Sequence, residues 1–204
     1  MGLLNRLFGN PKRSSLSATD WILRNTNATL EVTVAGPLPT PEGKACIIDP
    51  LVFAQGPVWV NIPKEGGEVT VFHDTQHGRN SKLALIFPGG PVAGGADVAT
   101  CGVDAGMASI FTPATHDAMA TILNSKPDMT ASDAYFLDFD DPLGGERMIV
   151  PLPDGTPIPY IHSGWGDGGY PVFTLTDASG QVVALYTDFM GKDKNGTWLT
   201  PPKG

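Results

Sequence analysis

The chain has 204 residues and a formal net charge of −8, long enough to bury roughly 70–75% of its unfolded surface without disulfides or a structural metal. Its Gly 25 and Pro 19 stay below the roughly one-quarter level of low-complexity disorder, so the composition is that of a turn-rich globular protein. The charge is concentrated: between Asp128 and Asp167, eight acidic residues stand against Arg147, a balance that repels phosphate backbones and argues against direct nucleic-acid binding.

Residues 1–16 carry Leu3, Leu4, Leu7 and Phe8 but no apolar run long enough for a signal peptide or a membrane span. They are expected to form a flexible segment and not a membrane anchor. Residues 17–199 are expected to form a single β-rich domain and residues 200–204 a loose tail, in a cytoplasmic protein. Cys46 and Cys101 lie far apart with no CxxC pair, and two buried thiols in a reducing compartment is the simpler reading.

Ser17-Ala-Thr-Asp20 has the form of a capping box and predicts a short helix through Trp21, Ile22 and Leu23. The period then changes. Leu30, Val32 and Val34 alternate with Glu31 and Thr33, predicting a half-buried strand ended by GPLPTP. Short strands follow at Lys44–Ile48, Val58–Ile62, Glu68–His73 and Leu83–Phe87, each bounded by Gly, Pro or Asn. Thr112-Pro113 supplies an N-cap and an N1 proline for a helix carrying Met119, Ile122 and Leu123, stopped by Asn124-Ser125-Lys126-Pro127. Later strands are predicted at Tyr135–Phe139, Met148–Pro151, Tyr170–Leu175 and Val182–Phe189, with hairpin-type loops at Thr176–Gly180 and Asp193–Gly196. The fold class is mainly β, a β-sandwich or a β-rich α+β fold, with one or two short helices.

Candidate chemistry is sparse. His73 and His77 are spaced for a metal pair on a helix, but they follow a strand pattern and enter a turn, where that geometry fails. Asp138, Asp140 and Asp141 place two carboxylates on one side of a strand, without the spacing of a calcium loop. There is no GxSxG elbow, and FPGGPVAGGAD lacks the lysine of a phosphate-binding loop. No catalytic residue, metal or cofactor is assigned.

HSGWGDGGYPV, residues 162–172, is the stretch most dense in special residues. Gly164, Gly166, Gly168 and Gly169 allow positive φ or close backbone approach, and Pro171 fixes the entry to an apolar run. Asp167 is suited to accept backbone N–H groups of its own turn, and Trp165 either packs inward or stands out as a binding anchor. A structural turn leading into a core strand is favoured over a ligand loop.

Three stretches, GKACIIDPLVF, CGVDAGMASIF and SGWGDGGYPVFTLTDASGQVVALYTDF, resemble a mostly bacterial family, the domain of unknown function numbered 4241. The similar positions are Asp49-Pro50-Leu51, Val103-Asp104-Ala105-Gly106, Gly166–Val172 and Asp188-Phe189. Several members look like immunity partners encoded beside bacterial polymorphic or contact-delivered toxins, as in type VI secretion. The resemblance thus implies a non-enzymatic toxin inhibitor, with no catalytic residue to carry over.

The expected function is that of an immunity protein that binds and neutralises a cognate toxin, partly through an acidic face. A basic toxin such as a nuclease fits, because nucleases hold phosphates on basic surfaces. The expected partner-binding residues are the acidic Asp133, Asp138, Asp140, Asp141, Glu146 and Asp167, with Tyr135, Phe139, Tyr160 and Trp165 as anchors if exposed. The alternatives are a hydrolase, metal-dependent or not, using Asp104, Asp167 and Asp188 with His162, and a non-enzymatic scaffold module.

Overall fold

The computed structural model describes residues 16–24, 28–52, 56–125, 148–192 and 199–201. The strands are β1 (Leu30–Leu38), β2 (Lys44–Ile48), β3 (Val60–Asn61), β4 (Gly67–Asp74), β5 (Arg79–Ile86), β6 (Val92–Val103), β7 (Met107–Phe111), β8 (Ile149–Pro151), β9 (Pro157–His162), β10 (Gly168–Asp177) and β11 (Val182–Asp188); the helices are α1 (Ala18–Arg24) and α2 (Pro113–Asn124). One sheet has the order β1-β4-β5-β11-β10-β6 and the other β3-β2-β7-β9-β8, and every pairing among the described residues is antiparallel. The fold is mainly β with two short helices, as the turn-punctuated apolar runs predict.

Side-chain alternation builds four layers. Val69, Val71, Leu83, Leu85, Val172 and Leu185 of the first sheet meet Ala45, Ile47, Ala108, Ile110 and Ile161 of the second in the central core. The opposite face of the first sheet carries Phe72, Ala84, Phe173 and Tyr186, and Ala18 and Ile22 of α1 close over it. The outer face of the second sheet, with Cys46, Phe111 and Ile158, is covered by Met119 of α2. Strands β4, β5 and β11 are thus buried on both faces, and their burial runs nearly unbroken along the chain.

Both helix starts follow their sequence signals. Ser17 Oγ accepts the Asp20 N–H at 3.1 Å and donates to the Asp20 carboxylate at 2.8 Å. Thr112 Oγ1 accepts the Thr115 N–H at 3.2 Å ahead of Pro113. No helix among the described residues is long and apolar enough to cross a membrane.

Some expectations change. β1 does not end at GPLPTP: it runs through Gly36-Pro37-Leu38 after a register shift between Val34 and Gly36. It is an edge strand, so its alternation does not make it half-buried: Val32 is 37% and Val34 61% exposed. β6, β7 and β9 were not predicted. The segments expected at Tyr135–Phe139 and Asp193–Gly196, and nearly all of the N-terminal segment, lie outside the described residues.

Candidate functional site

The turns at one end of the sandwich converge, and aspartates clasp them. Asp49, fully buried at the end of β2, accepts the Leu51 N–H at 2.8 Å through one oxygen. Its other oxygen takes the N–H groups of Asp104 at 2.9 Å and Ala105 at 2.8 Å, binding the β6–β7 turn to the β2 end. That turn also donates the Gly106 N–H to Asp167 at 3.0 Å and accepts the Ser163 N–H at 2.9 Å. Asp167 therefore reaches across to a neighbouring turn. Asp188, at the end of β11, holds the buried Lys82 ammonium and accepts the Met190 N–H at 3.1 Å. The carboxylates of Asp49, Asp167 and Asp188 in the three family-like stretches act here as a structural clasp.

Turn 163–167 is fixed from several sides. Ser163 Oγ and Tyr170 Oη both donate to the Gly166 carbonyl, at 2.8 and 2.9 Å. Burial and the nearby Asp167 charge push the Tyr170 hydroxyl above its ordinary pKa, keeping it a donor. Gly166 has φ +84°, a left-handed conformation that glycine adopts without strain. Gly164 is needed for close approach, since a Cβ there would lie 2.5 Å from the Asn80 carbonyl oxygen.

On this turn stands Trp165, 53% exposed. The Arg79 guanidinium lies 5.1 Å from its ring centre and donates to the Gly164 carbonyl at 2.8 Å. The His77 ring meets Trp165 edge-on at 5.7 Å. His77 is itself held by a 2.8 Å hydrogen bond from Nδ1 to the buried Asp74 carboxylate. Burial opposes ionisation of Asp74, but the His77 imidazole and the N–H groups of Gln76 and His77 prevail and hold its carboxyl below the ordinary value. A large aromatic is thus presented to solvent on a pre-set base. Nearby, a cleft of about 620 Å³ between β2 and the end of β6 is lined by Gly102, Asp104, Gly168 and Gly169.

The structure sorts the expected site residues into three groups. Trp165 and Asp167 are exposed and share one turn. Tyr160 is only 9% exposed, with its hydroxyl 2.6 Å from Met107 Sδ, so it does not meet the exposure condition of an anchor. Asp133, Tyr135, Asp138, Phe139, Asp140, Asp141 and Glu146 lie outside the described residues. Of the carboxylates considered for hydrolysis, Asp104 and Asp167 are exposed, whereas Asp188 is fully buried against Lys82. His162 is exposed at the end of β9, its ring 6.0 Å from that of Tyr160.

His73 hydrogen-bonds Asn80 at 3.4 Å while His77 faces Asp74, so the two imidazoles have different partners. Among the described residues, no group of three or more His, Cys, Asp or Glu side chains is placed to hold a metal ion. Cys46 and Cys101 are both free and buried, and burial pushes each thiol up to about 12. Arg79 is the site residue that the sequence did not reveal: it meets a carbonyl 85 residues further along the chain.

A family model described as "Protein of unknown function (DUF4241)" matches residues 95–187, somewhat less than half of the chain. The match takes in the Val103–Gly106 and Gly166–Val172 stretches and leaves Asp49-Pro50-Leu51 and Asp188-Phe189 outside. Comparisons with curated proteins and with solved structures found no match.

Proposed function

We propose that this chain is an immunity protein that binds and neutralises a cognate bacterial toxin, a basic nuclease of a contact-delivered system being the class that fits its chemistry. The observation that carries the reading is Trp165, exposed yet held by Arg79, His77 and a turn fixed through Gly166. Tryptophan and arginine are the residue types that dominate binding energy in protein interfaces, and an anchor already in place loses little entropy on docking. The exposed carboxylates of Asp104 and Asp167 stand on the adjoining turns. The strongly acidic stretch from Asp128 to Asp167 adds a field that draws in a basic partner. A hydrolase using Asp104, Asp167 and Asp188 finds less support, because Asp188 is committed to Lys82 below the surface.

The test is affinity capture of the tagged chain from its host under toxin-expressing conditions, at low and high salt, followed by mass spectrometry. The expected result is one stoichiometric basic toxin, retained by the native chain and lost with Trp165→Ala. No toxin captured at either salt, with the protein folded, rejects the reading. Capture that withstands both Trp165→Ala and reversal of Asp138, Asp140, Asp141 and Glu146 keeps immunity but rejects this docking surface.

A further inference from the structure

The β1 edge carries a surface that the binding site above does not use. β1 pairs with β4 on one side and, among the described residues, is the terminal strand of its sheet. From Leu30 to Val34 its register against β4 is regular, running from Leu30↔Asp74 to Val34↔Thr70 before the shift at Gly36. Glu31, Val32, Thr33 and Val34 are all exposed. Edge strands are ordinarily guarded by lysine, proline, bulges or short length. Here five residues rich in β-branched side chains precede the bulge, and Glu31 is their only charge.

We propose that this edge pairs with a second copy of the same chain, antiparallel about Val32, joining two six-stranded sheets into one. The sequence Leu30-Glu31-Val32-Thr33-Val34 is its own complement in that register. Val32 faces Val32, Leu30 faces Val34 twice, and each Glu31 faces a Thr33 hydroxyl, so no like charges stand opposite each other. Leu30, Val32 and Val34 share one face, the face on which Phe72, paired with Val32, joins the apolar layer under α1. Pairing therefore continues that layer across the axis. Centring on Thr33 instead sets Leu30 against Gly36, beyond the bulge, and leaves two apolar pairs where the Val32 register has three. A five-residue strand pair is a small interface, so association is weak and reversible.

The register makes a specific cross-linking prediction. Across the axis, the two Val32 Cα atoms stand about 4.5–5.5 Å apart, within disulfide reach. The two Val34 positions are four residues out of step, about 13 Å apart, and cannot be bridged. Under mild oxidation of the folded full-length protein, Val32→Cys is expected to cross-link at least tenfold faster than Val34→Cys; the native Cys46 and Cys101 are buried and do not compete. Sedimentation equilibrium should show the native chain moving from monomer to dimer mass with rising concentration. Val32→Lys, which sets two ammonium groups face to face at an exposed site, should remain folded and monomeric. A native chain that stays monomeric to sub-millimolar concentration, equal cross-linking of the two cysteine variants, or a dimer that survives Val32→Lys overturns the proposal.

Discussion

The buried Asp49 carboxylate holds the backbone N–H of Asp104 at 2.9 Å while the Asp104 side chain points to solvent. Two acidic residues of the family-like stretches therefore have opposite sensitivities. Asp49→Asn replaces one accepting oxygen by a donor and leaves at least one part-buried N–H without its partner, at about 1–3 kcal/mol. Asp104→Ala, which keeps the backbone N–H, should stay within about 0.5 kcal/mol of the native protein. Urea unfolding of the two variants checks the contrast.

Lys82 and Asp188 form a fully buried ion pair joining β5 to β11. Removing one member strands the other charge in an apolar interior, and either Lys82→Met or Asp188→Asn is expected to destabilise by about 3–5 kcal/mol. The double variant leaves no orphan charge and should recover part of the loss. A double-mutant cycle on thermal or urea unfolding reads the coupling directly.

Trp165 and Arg79 should matter for binding far more than for folding. If the chain is the immunity protein proposed above, Trp165→Ala is expected to weaken toxin binding by about 2 kcal/mol or more, roughly thirtyfold in Kd, with little change in Tm. Arg79→Lys keeps the charge but loses the planar group beside the indole and should weaken binding to a smaller extent. Calorimetric titration against the captured toxin separates these effects from unfolding.

Gly164→Ala should be the most damaging single change within the Trp165 turn. Its Cβ would meet a backbone carbonyl at 2.5 Å, which can be relieved only by moving the turn or β5. Gly102→Ala points a methyl into open space and should be tolerated. Paired melting curves, with tryptophan emission followed in both variants, test the difference.

Stability should fall in acid for identifiable reasons. The Ser179 hydroxyl, then the Gly90 N–H and the N–H groups of Ser179 and Gln181, hold the Asp177 carboxyl below its ordinary value. The Thr156 N–H does the same for Asp154, as the partners already described do for Asp74. The unfolded chain takes up these protons near pH 4, before the folded chain does. The stabilisation is therefore complete above about pH 4 and is lost as pH falls through the lower folded values. Calorimetry between neutral and acid pH should show a flat Tm that drops below about pH 4, and Asp177→Asn should flatten that acid limb.

What the sequence shows of this fold depends on how locally each signal is written. α2 was legible because its cap, its N1 proline and its apolar residues are contiguous. β2 and the β10–β11 hairpin were legible because turn residues bracket their apolar runs. β6 was hidden because its glycines and alanines, VAGGADVATCGV, carry little apolar signal at a sheet edge. β9 was hidden by Pro157 and Pro159, which normally argue against a strand, yet here lie opposite the short β8 and leave residues 160–162 to pair with β7. HSGWGDGGYPV was legible as a turn entering a strand, but its main partners, Arg79, Asn80 and Gly106, are distant in sequence. Nothing local to residues 162–172 could show that the turn is seated on them.

The position of β11, between β5 and β10, also governs how the molecule comes to exist. Chain synthesis delivers β1, β4 and β5 first, and the side of β5 that β11 pairs with stays without its partner until residues 182–188 are made. An unpaired strand edge of that kind is a template for wrong pairings. Docking of the β10–β11 hairpin covers it and brings Asp188 to Lys82, 106 residues earlier in the chain.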